Sequence, residues 1–159
     1  MNAAPIDSRV RLTSILVFAL AAVLILMIFA VSWAPDSRVT TLRWVPGWIA
    51  DLADRDPNNR TAIPFIPLAF LLVRGFKGYK PNGSLAWPLM ICGLCLGLSE
   101  FGQKFIPHRT ADVRDLLWGG IGILIGTAMA WISSHWRRSC IGPKERRDRA
   151  AEANDGPTR

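Results

Sequence analysis

The sequence predicts an all-α membrane protein whose chain forms a bundle of four transmembrane helices. Half of the 159 residues are apolar, and they are grouped in long blocks rather than spread along the chain. Residues 12–33 form one uncharged block, and roughly 20 residues of helix cross the about 30 Å of hydrocarbon in a bilayer. We therefore expect a four-helix membrane domain at 12–136, between a cytoplasmic N-terminus at 1–11 and a disordered basic cytoplasmic tail at 137–159.

The basic charge of the chain fits a membrane better than a nucleic acid. The formal net charge is +7, but the surplus Lys and Arg residues lie beside the apolar blocks and in the C-terminal tail. Topology and anionic lipid headgroups explain that distribution. We therefore expect membrane lipid as a partner and no nucleic acid. The three cysteines give no disulfide framework, because Cys92 and Cys95 lie inside an apolar block and Cys140 lies in the tail.

The first block ends at Trp33, a residue type that is enriched at membrane interfaces. A cleaved signal peptide is the alternative interpretation, since two arginines precede the block, but the block is longer than the roughly 7 to 15 residues of a signal core. A polar connector follows at residues 34–60. Within it, Trp48 and Leu52 belong either to a short amphipathic turn on the membrane surface or to a solvated loop with aromatic anchors.

The second span is the shortest of the four. Between Arg60 and Arg74 only residues 61–73 are uncharged, which is less than a membrane thickness of helix. The segment therefore either recruits flanking turns, with both arginines reaching toward the headgroups, or inserts only halfway. We expect Pro64 in the first helical turn, where a missing N–H costs nothing, and a kink at Pro67.

The third and fourth spans lie at about residues 84–105 and 115–136, and they complete the expected topology. With four spans, the N-terminus, the second connector and the tail share one side and carry twelve Lys and Arg residues, against seven in the first and third connectors. The positive-inside rule then predicts that both termini are cytoplasmic. The segment between the third and fourth spans would face the outside.

This segment contains the candidate site. Glu100 and Gln103 share a helix face, as do Asp112 and Asp115, and Pro107 breaks the helix between the two pairs. The chain therefore turns back at the membrane surface with basic residues beside both acidic pairs. The candidate ligand-binding residues are Glu100, Gln103, His108, Arg109, Asp112 and Asp115.

Two interpretations of these residues remain open from the sequence. In the functional one, Arg109, assisted by His108, binds the phosphate or carboxylate of an amphiphilic ligand, which the Glu–Gln pair positions. In the structural one, the same groups tie the ends of the third and fourth spans together. The two aspartates favour a structural role, because carboxylates at a helix start cap free N–H groups and complement the helix dipole.

Two other motifs favour helix packing. Gly119, Gly122 and Gly126 form one helical stripe, which lets helices approach closely in lipid, either within the monomer or between protomers of a homo-oligomer. Cys92 and Cys95 have the spacing of a redox motif, but they lie mid-span with no basic neighbour to stabilise a thiolate. The loop histidine stands without a second one nearby, and no metal site, nucleophile arrangement or cofactor fingerprint is visible.

A longer pattern joins several of these residues. It comprises Glu100-Phe-Gly-Gln103, Phe105-Ile-Pro107, Arg109-Thr110, Asp112, Asp115, Gly119, Gly122 and Gly126, with Phe65-Ile-Pro67-Leu-Ala-Phe-Leu-Leu72 on the second span. In this pattern the chain resembles the VanZ-like family of small bacterial membrane proteins, named for a member associated with teicoplanin resistance. The chain departs from the family at Gly119, where Asn is usual and a polar group is lost, and at Ala69, where Gly is usual.

The resemblance implies a multi-pass protein of the bacterial cytoplasmic (inner) membrane that acts in the cell envelope without catalysing a reaction. It implies an amphiphilic ligand at the outer face, either a lipoglycopeptide, as in antibiotic resistance, or a lipid-linked precursor of a cell-surface polysaccharide. One alternative is a membrane hydrolase or transferase acting on a polyprenyl-phosphate-linked substrate, with Glu100 or Asp112 as general base and His108 as acid. A second alternative is a structural subunit of an envelope assembly.

Overall fold

A computed structural model of the chain describes residues 8–34, 38–41, 45–79, 83–106 and 113–140. These residues form five α-helices and one short 3₁₀ turn, so the all-α prediction is confirmed for this part of the chain. The elements in order are α1 (Ser8–Ser32), the 3₁₀ turn (Val39–Thr41), α2 (Gly47–Arg55), α3 (Pro57–Tyr79), α4 (Ala86–Gln103) and α5 (Val113–Cys140).

α3 is the central helix, because it contacts each of the other four, and its largest contacts are with α5 and α1. A Cβ atom added at Gly75 would lie 2.9 Å from Phe18 Cε1, and one added at Gly78 would lie 2.9 Å from Ser14 Oγ. Residue numbers therefore rise on α3 as they fall on α1, so these two helices are antiparallel. Glycine at both positions lets them pack closely.

α5 packs on α3 through the glycine stripe. A Cβ atom at Gly122 would overlap the carbonyl oxygen of Ala62, and one at Gly126 would overlap the carbonyl oxygen of Ile66. From the first contact to the second, the residue numbers increase on both helices, so α3 and α5 run parallel. A Cβ atom at Gly119 would likewise overlap the side chain of Leu96 on α4. The stripe therefore lies at contacts of α5 with two helices of the same chain.

Three of the described helices are long and apolar enough to cross a membrane, namely those with the candidate spans Leu12–Ser32, Asn58–Tyr79 and Val113–Trp136. α4 is not among them, since its 18 residues include the polar pair Glu100 and Gln103 in the last turn, which lowers its mean hydropathy. A Cβ atom at Gly102 would overlap the indole of Trp33, so α1 and α4 end on the same side of the molecule. Four spans with both termini cytoplasmic remain a prediction.

The second predicted span is longer than its uncharged stretch. α3 has 23 residues and continues through Pro64 and Pro67, which supports the recruitment of flanking turns. The expectation that Pro64 lies in the first turn is wrong, because Pro57 takes the first helical position. Asp56 before it is extended, as residues preceding proline prefer, and its Oδ1 accepts a hydrogen bond from the Asn58 N–H at 2.9 Å. The kink at Pro67 stays a prediction.

The main core surrounds α3. Phe65, Leu68 and Ala69 of that helix are almost completely buried, and Cys92 and Cys95 of α4 belong to the same cluster. Both cysteines are free thiols. Their burial in the core supports their interpretation as small packing residues, and the absence of redox chemistry stays a prediction.

The outer surface of the long helices is strongly apolar. Leu16 and Leu26 of α1 and Leu124 and Ile132 of α5 are each more than half exposed. A protein in water rarely exposes a continuous apolar surface of this extent. Hydrocarbon is therefore the solvent that this surface fits.

α2 is a short amphipathic helix in the first connector. Ala50 and Ala53 are buried, whereas Trp48 and Leu52 are 72% and 41% exposed. Of the two alternatives for this connector, the structure shows the helical one. Its position on the membrane surface stays a prediction, which the exposed Trp and Leu side chains support.

Asp54 ties α2 to the 3₁₀ turn. Its two carboxylate oxygens accept hydrogen bonds from the N–H groups of Val39 and Thr40, each at 2.9 Å. Burial alone would raise the pKa of Asp54, but these hydrogen bonds and the positive charge of Arg60 outweigh it, and the pKa lies below its ordinary value. The charged carboxylate therefore stabilises this contact.

We expect Gly126→Ala to lower the free energy of unfolding by about 1 to 3 kcal/mol, because the added methyl group would overlap the Ile66 carbonyl and force α3 and α5 apart. Thermal unfolding in detergent, followed with a thiol-reactive dye, measures this change. The dye reports the exposure of the buried thiols Cys92 and Cys95, and a Cys140→Ser background removes the signal of the third cysteine.

Gly120→Ala is the matched control on the same helix. No atom of another helix lies within 4 Å of a Cβ atom at Gly120, so this change should be neutral or stabilising by up to about 1 kcal/mol. Equal losses of stability in the two variants would show that the contact of α5 with α3 does not limit stability.

We expect Asp54→Ala to speed hydrogen exchange at the Val39 and Thr40 amides by about fivefold, the equivalent of the roughly 1 kcal/mol typical of a lost capping side chain. Because folding lowers the pKa of Asp54, protection in the native protein should be present above the ordinary Asp pKa of about 3.9. It should be lost as pH falls through the folded pKa. Exchange rates corrected for their intrinsic pH dependence measure both effects.

Asp51→Ala is the control, since Asp51 is exposed on the same helix. This change should leave both amides protected. If the two variants exchange alike, or if protection in the native protein persists to the lowest pH, the carboxylate of Asp54 does not hold the turn.

Candidate functional site

A cavity of about 770 Å³ lies at the end of the molecule where α1 and α4 finish and where α3 and α5 begin. Its volume falls within the roughly 300 to 1,000 Å³ that is typical of small-molecule sites. All five helices contribute to its wall. We call this space the cavity and this end of the molecule the cavity end.

One wall of the cavity is apolar. On α1 the apolar lining residues recur at the spacing of a single helical stripe, so one face of that helix is turned toward the cavity. The 3₁₀ turn, α2 and the first half of α3 continue this wall. Its members include Leu24, Met27, Ile28, Val31, Val39, Ile49, Ala53, Ile63 and Phe65.

A second part of the lining is polar. It is formed by residues at the helix ends, where the chain enters or leaves the bundle. These residues are Ser32, Asp56, Asn58, Arg60, Thr61, Ser99, Glu100, Gln103, Arg114 and Asp115. The cavity is therefore amphipathic, with its polar groups gathered at the cavity end.

α4 presents three buried polar side chains to the cavity. Ser99, Glu100 and Gln103 are 2%, 6% and 7% exposed, and their spacing of three and four residues puts them on one helix face. Ser99 Oγ donates a hydrogen bond to the carbonyl oxygen of Leu96 at 2.8 Å. The Oε2 atom of Glu100 is fully buried. Ionisable groups held at such positions in membrane proteins are costly, which marks this face as a functional candidate.

The structure brings Asp115 to the same cavity as Glu100 and Gln103. Asp115 lies in the first turn of α5 and is half-buried. A carboxylate at this position complements the helix dipole, as the structural interpretation expects. The other predicted site residues, His108, Arg109 and Asp112, lie outside the described residues.

The predicted set did not include the start of α3. Asp56, Asn58 and Arg60 all line the cavity, whereas the sequence alone indicates Arg60 only as a flank of the second span. The Asp56–Pro57 pair is a signal for a helix start. It places Arg60 one turn into α3, on the side of the molecule where α4 ends.

Two prolines of α3 add backbone acceptors to the lining. Proline has no N–H, so Pro64 and Pro67 cannot donate the usual helical hydrogen bonds to the carbonyls of Arg60 and Ile63. All four residues line the cavity. A membrane helix tolerates such gaps in its hydrogen bonding where the backbone lines a cavity, and the carbonyls can there accept a hydrogen bond from a ligand or water.

The charges of the described lining are mixed. Arg60 and Arg114 stand with Asp56, Glu100 and Asp115. Such a set suits a head group that carries hydroxyls or both signs of charge, because donors and acceptors are both present. Within the described ranges, no group of three or more His, Cys, Asp or Glu residues is arranged to hold a metal ion.

The fold and the cavity define a helical membrane protein with an amphipathic site at one end of its helices. The model of the VanZ/LLP1 family matches residues 14–134 of the chain. The chain belongs to this family, which confirms the resemblance seen in the motif from Glu100 to Gly126. No curated protein and no solved structure matches the chain significantly.

Proposed function

We propose that this VanZ-like membrane protein binds an amphiphilic ligand in its cavity without catalysing a reaction on it. The observation that carries the proposal is the union, in one cavity, of an apolar wall with the buried side chains of Glu100 and Gln103. An ionisable group at the centre of a membrane helix is unfavourable by roughly 2.5 to 3.5 kcal/mol on insertion scales, and a buried one near a helix end, such as Glu100, still requires polar partners. A ligand that uses this group gives a reason for the chain to keep it.

The amphipathic cavity supports an amphiphilic ligand, the class that the resemblance to the family implies. A lipoglycopeptide and a lipid-linked glycan precursor each join a hydrocarbon chain to a head group rich in hydroxyls. In this proposal Arg109, with His108, binds the anionic part of the head group. Glu100 and Gln103 position the hydroxyls, and Asp115 orients Arg109 or caps α5. The apolar wall contacts the hydrocarbon.

The proposed location is the bacterial cytoplasmic membrane, with the cavity end facing outward. The distribution of Lys and Arg residues supports this orientation, since the connectors at the cavity end carry fewer of them. An outward cavity would meet cell-envelope precursors and extracellular antibiotics. It would not meet cytoplasmic nucleotides.

A membrane enzyme is the second candidate function. The buried carboxylate of Glu100 lines a cavity, and a carboxylate within hydrogen-bond reach of a substrate can act as a general base. A polyprenyl-phosphate-linked substrate would then be hydrolysed or transferred, with Asp112 as the other candidate base and His108 as acid. Turnover of such a substrate by the purified protein, abolished in Glu100→Gln while binding persists, would favour this function over binding alone.

Native mass spectrometry of the protein released gently from its own membranes tests the binding proposal. We expect the unmodified protein to retain a specific lipid-linked glycan or lipid phosphate. Gln103→Ala and Arg109→Ala should each reduce this adduct by at least about tenfold, the equivalent of roughly 1.4 kcal/mol from lost polar contacts.

Lys104→Ala is the matched control, because Lys104 follows the site on α4 but is exposed and does not line the cavity. This variant should retain the adduct. If the unmodified protein and all variants carry only bulk phospholipid, the polar residues of the cavity lining serve to tie the helices together. The structural-subunit alternative then gains support.

The orientation has its own test. An alkaline phosphatase fused after Arg109 should be active, because that enzyme folds only outside the cytoplasm, whereas a fusion after residue 80 should be inactive. The reverse pattern would place the cavity end in the cytoplasm and contradict the proposed ligands.

A further inference from the structure

The cavity is deep as well as amphipathic. On α1 its lining runs from Ser32 to Leu24, and on α3 from Asn58 to Pro67. The helix axis rises by about 12 Å from Leu24 to Ser32 and by about 13 Å from Asn58 to Pro67. One leaflet contributes about 15 Å of the hydrocarbon core. The cavity therefore extends from the helix ends through most of the depth of one leaflet.

The deep part of the cavity lies next to the lipid-facing surface of α1. Met27 lines the cavity, is 39% exposed, and also borders a shallow depression on the outer face of α1 beside Val23, Leu26 and Ala30. Pro67, at a similar depth on α3, lines the cavity and is exposed as well. Met27 therefore stands between the cavity and the lipid-facing surface of α1, and a lateral path from lipid into the cavity would pass this side chain.

α2 covers part of the cavity at the cavity end. Ile49 and Ala53 of α2 line the cavity, while Trp48 and Leu52 are exposed on an adjacent face, about 100° around the helix. An amphipathic helix with exposed Trp and Leu belongs at the level of the lipid headgroups. The space beneath it is then at the level of the hydrocarbon chains.

We propose that the deep part of the cavity is a slot for one hydrocarbon chain of a membrane lipid, which enters it sideways from the leaflet on the cavity side. The chain slot consists of Leu24, Met27, Ile28, Ile63 and Phe65. The proposal rests on the proposed function, because the polar head of the same lipid occupies the site beside the buried carboxamide and carboxylate of α4. A ligand that lacks a hydrocarbon chain and arrives from water would leave the slot unused.

The chain slot contributes to the specificity of binding more than to its affinity. A chain that moves from the bilayer into an apolar slot exchanges one hydrocarbon environment for another, so the hydrophobic effect contributes little. Affinity then comes from the polar end of the cavity, and the slot discriminates by shape. Narrowing the slot should therefore act by steric exclusion, and a change of similar size on the outer face of α1 should have no effect.

Photocrosslinking of the full-length protein in vesicles tests the slot. The vesicles contain phosphatidylglycerol and phosphatidylcholine, with either a phospholipid or a polyprenyl phosphate that carries a diazirine in its hydrocarbon chain. Illumination should attach at least one of these probes to Ile28 and Phe65. These residues are 5% and 1% exposed, so lipid at the outer surface does not reach them. Peptide mass spectrometry locates the adducts.

Met27→Trp should reduce the adducts at both buried positions by at least about fivefold, as expected from the overpacking of a confined site. Leu26→Trp is the matched control, because Leu26 is 69% exposed on the same helix and does not line the cavity; it should leave the adducts unchanged. Ile63→Trp narrows the slot from α3 instead of α1 and should reproduce the effect of Met27→Trp. Thermal unfolding confirms that each variant is folded.

Two results would contradict the proposal of a chain slot. One is the attachment of both probes only to outer-face positions such as Leu26, and the other is an equal loss of buried adducts in Met27→Trp and Leu26→Trp. The native mass spectrometry of Gln103→Ala separates this failure from failure of the proposed function. If that variant still loses a retained ligand, the polar site stands, and the ligand reaches it without a chain in the slot.

Discussion

The backbone contact between α3 and α5 is the constraint on which the rest of the structure depends. At Gly122 and Gly126 no side chain separates α5 from the carbonyl groups of α3. In lipid there is no hydrophobic force to bring helices together, so close packing of small residues provides the attraction. With α5 fixed on one side, α3 is free to hold α1 on another, through glycines near its own C-terminal end. The predicted span with the shortest uncharged stretch thus becomes the centre of the molecule.

The same distribution of small residues accounts for the cavity. α3 contacts α1 through Gly75 and Gly78, but it has no glycine from Pro57 to Arg74. Near the cavity end, bulky and charged side chains therefore face the space between the helices, and two prolines interrupt the backbone hydrogen bonds. α2, held by the carboxylate of Asp54, covers part of this space without filling it. α1 and α3 thus pack closely at one end and leave an open site at the other, while α5 packs on α3 beside the cavity.

The cavity also explains how a small protein can be selective for a lipid-like molecule. The hydrocarbon of any lipid is already well solvated by the bilayer, so apolar contacts alone give little affinity. Buried polar groups such as Glu100 and Gln103 act in a setting of low dielectric constant, where hydrogen bonds to a head group are strengthened. A binding protein and an enzyme would both exploit this setting. They differ in whether a group on α4 or in the following segment exchanges a proton with the ligand.

The sequence by itself determined the all-α class, the first membrane helix, the polar face of α4 and the family, because each rests on local periodicity or on a contiguous motif. It also predicted the glycine stripe, although not which helix the stripe would meet. Only the tertiary structure decided that α3 is central, that Arg60 lines the cavity and that α2 is part of its wall. These facts depend on residues far apart in the chain, such as Leu24, Ile49 and Glu100. Side-chain periodicity shows which face of a helix is polar, but the approach of one helix to another depends on packing, and packing exists only once the helices have met.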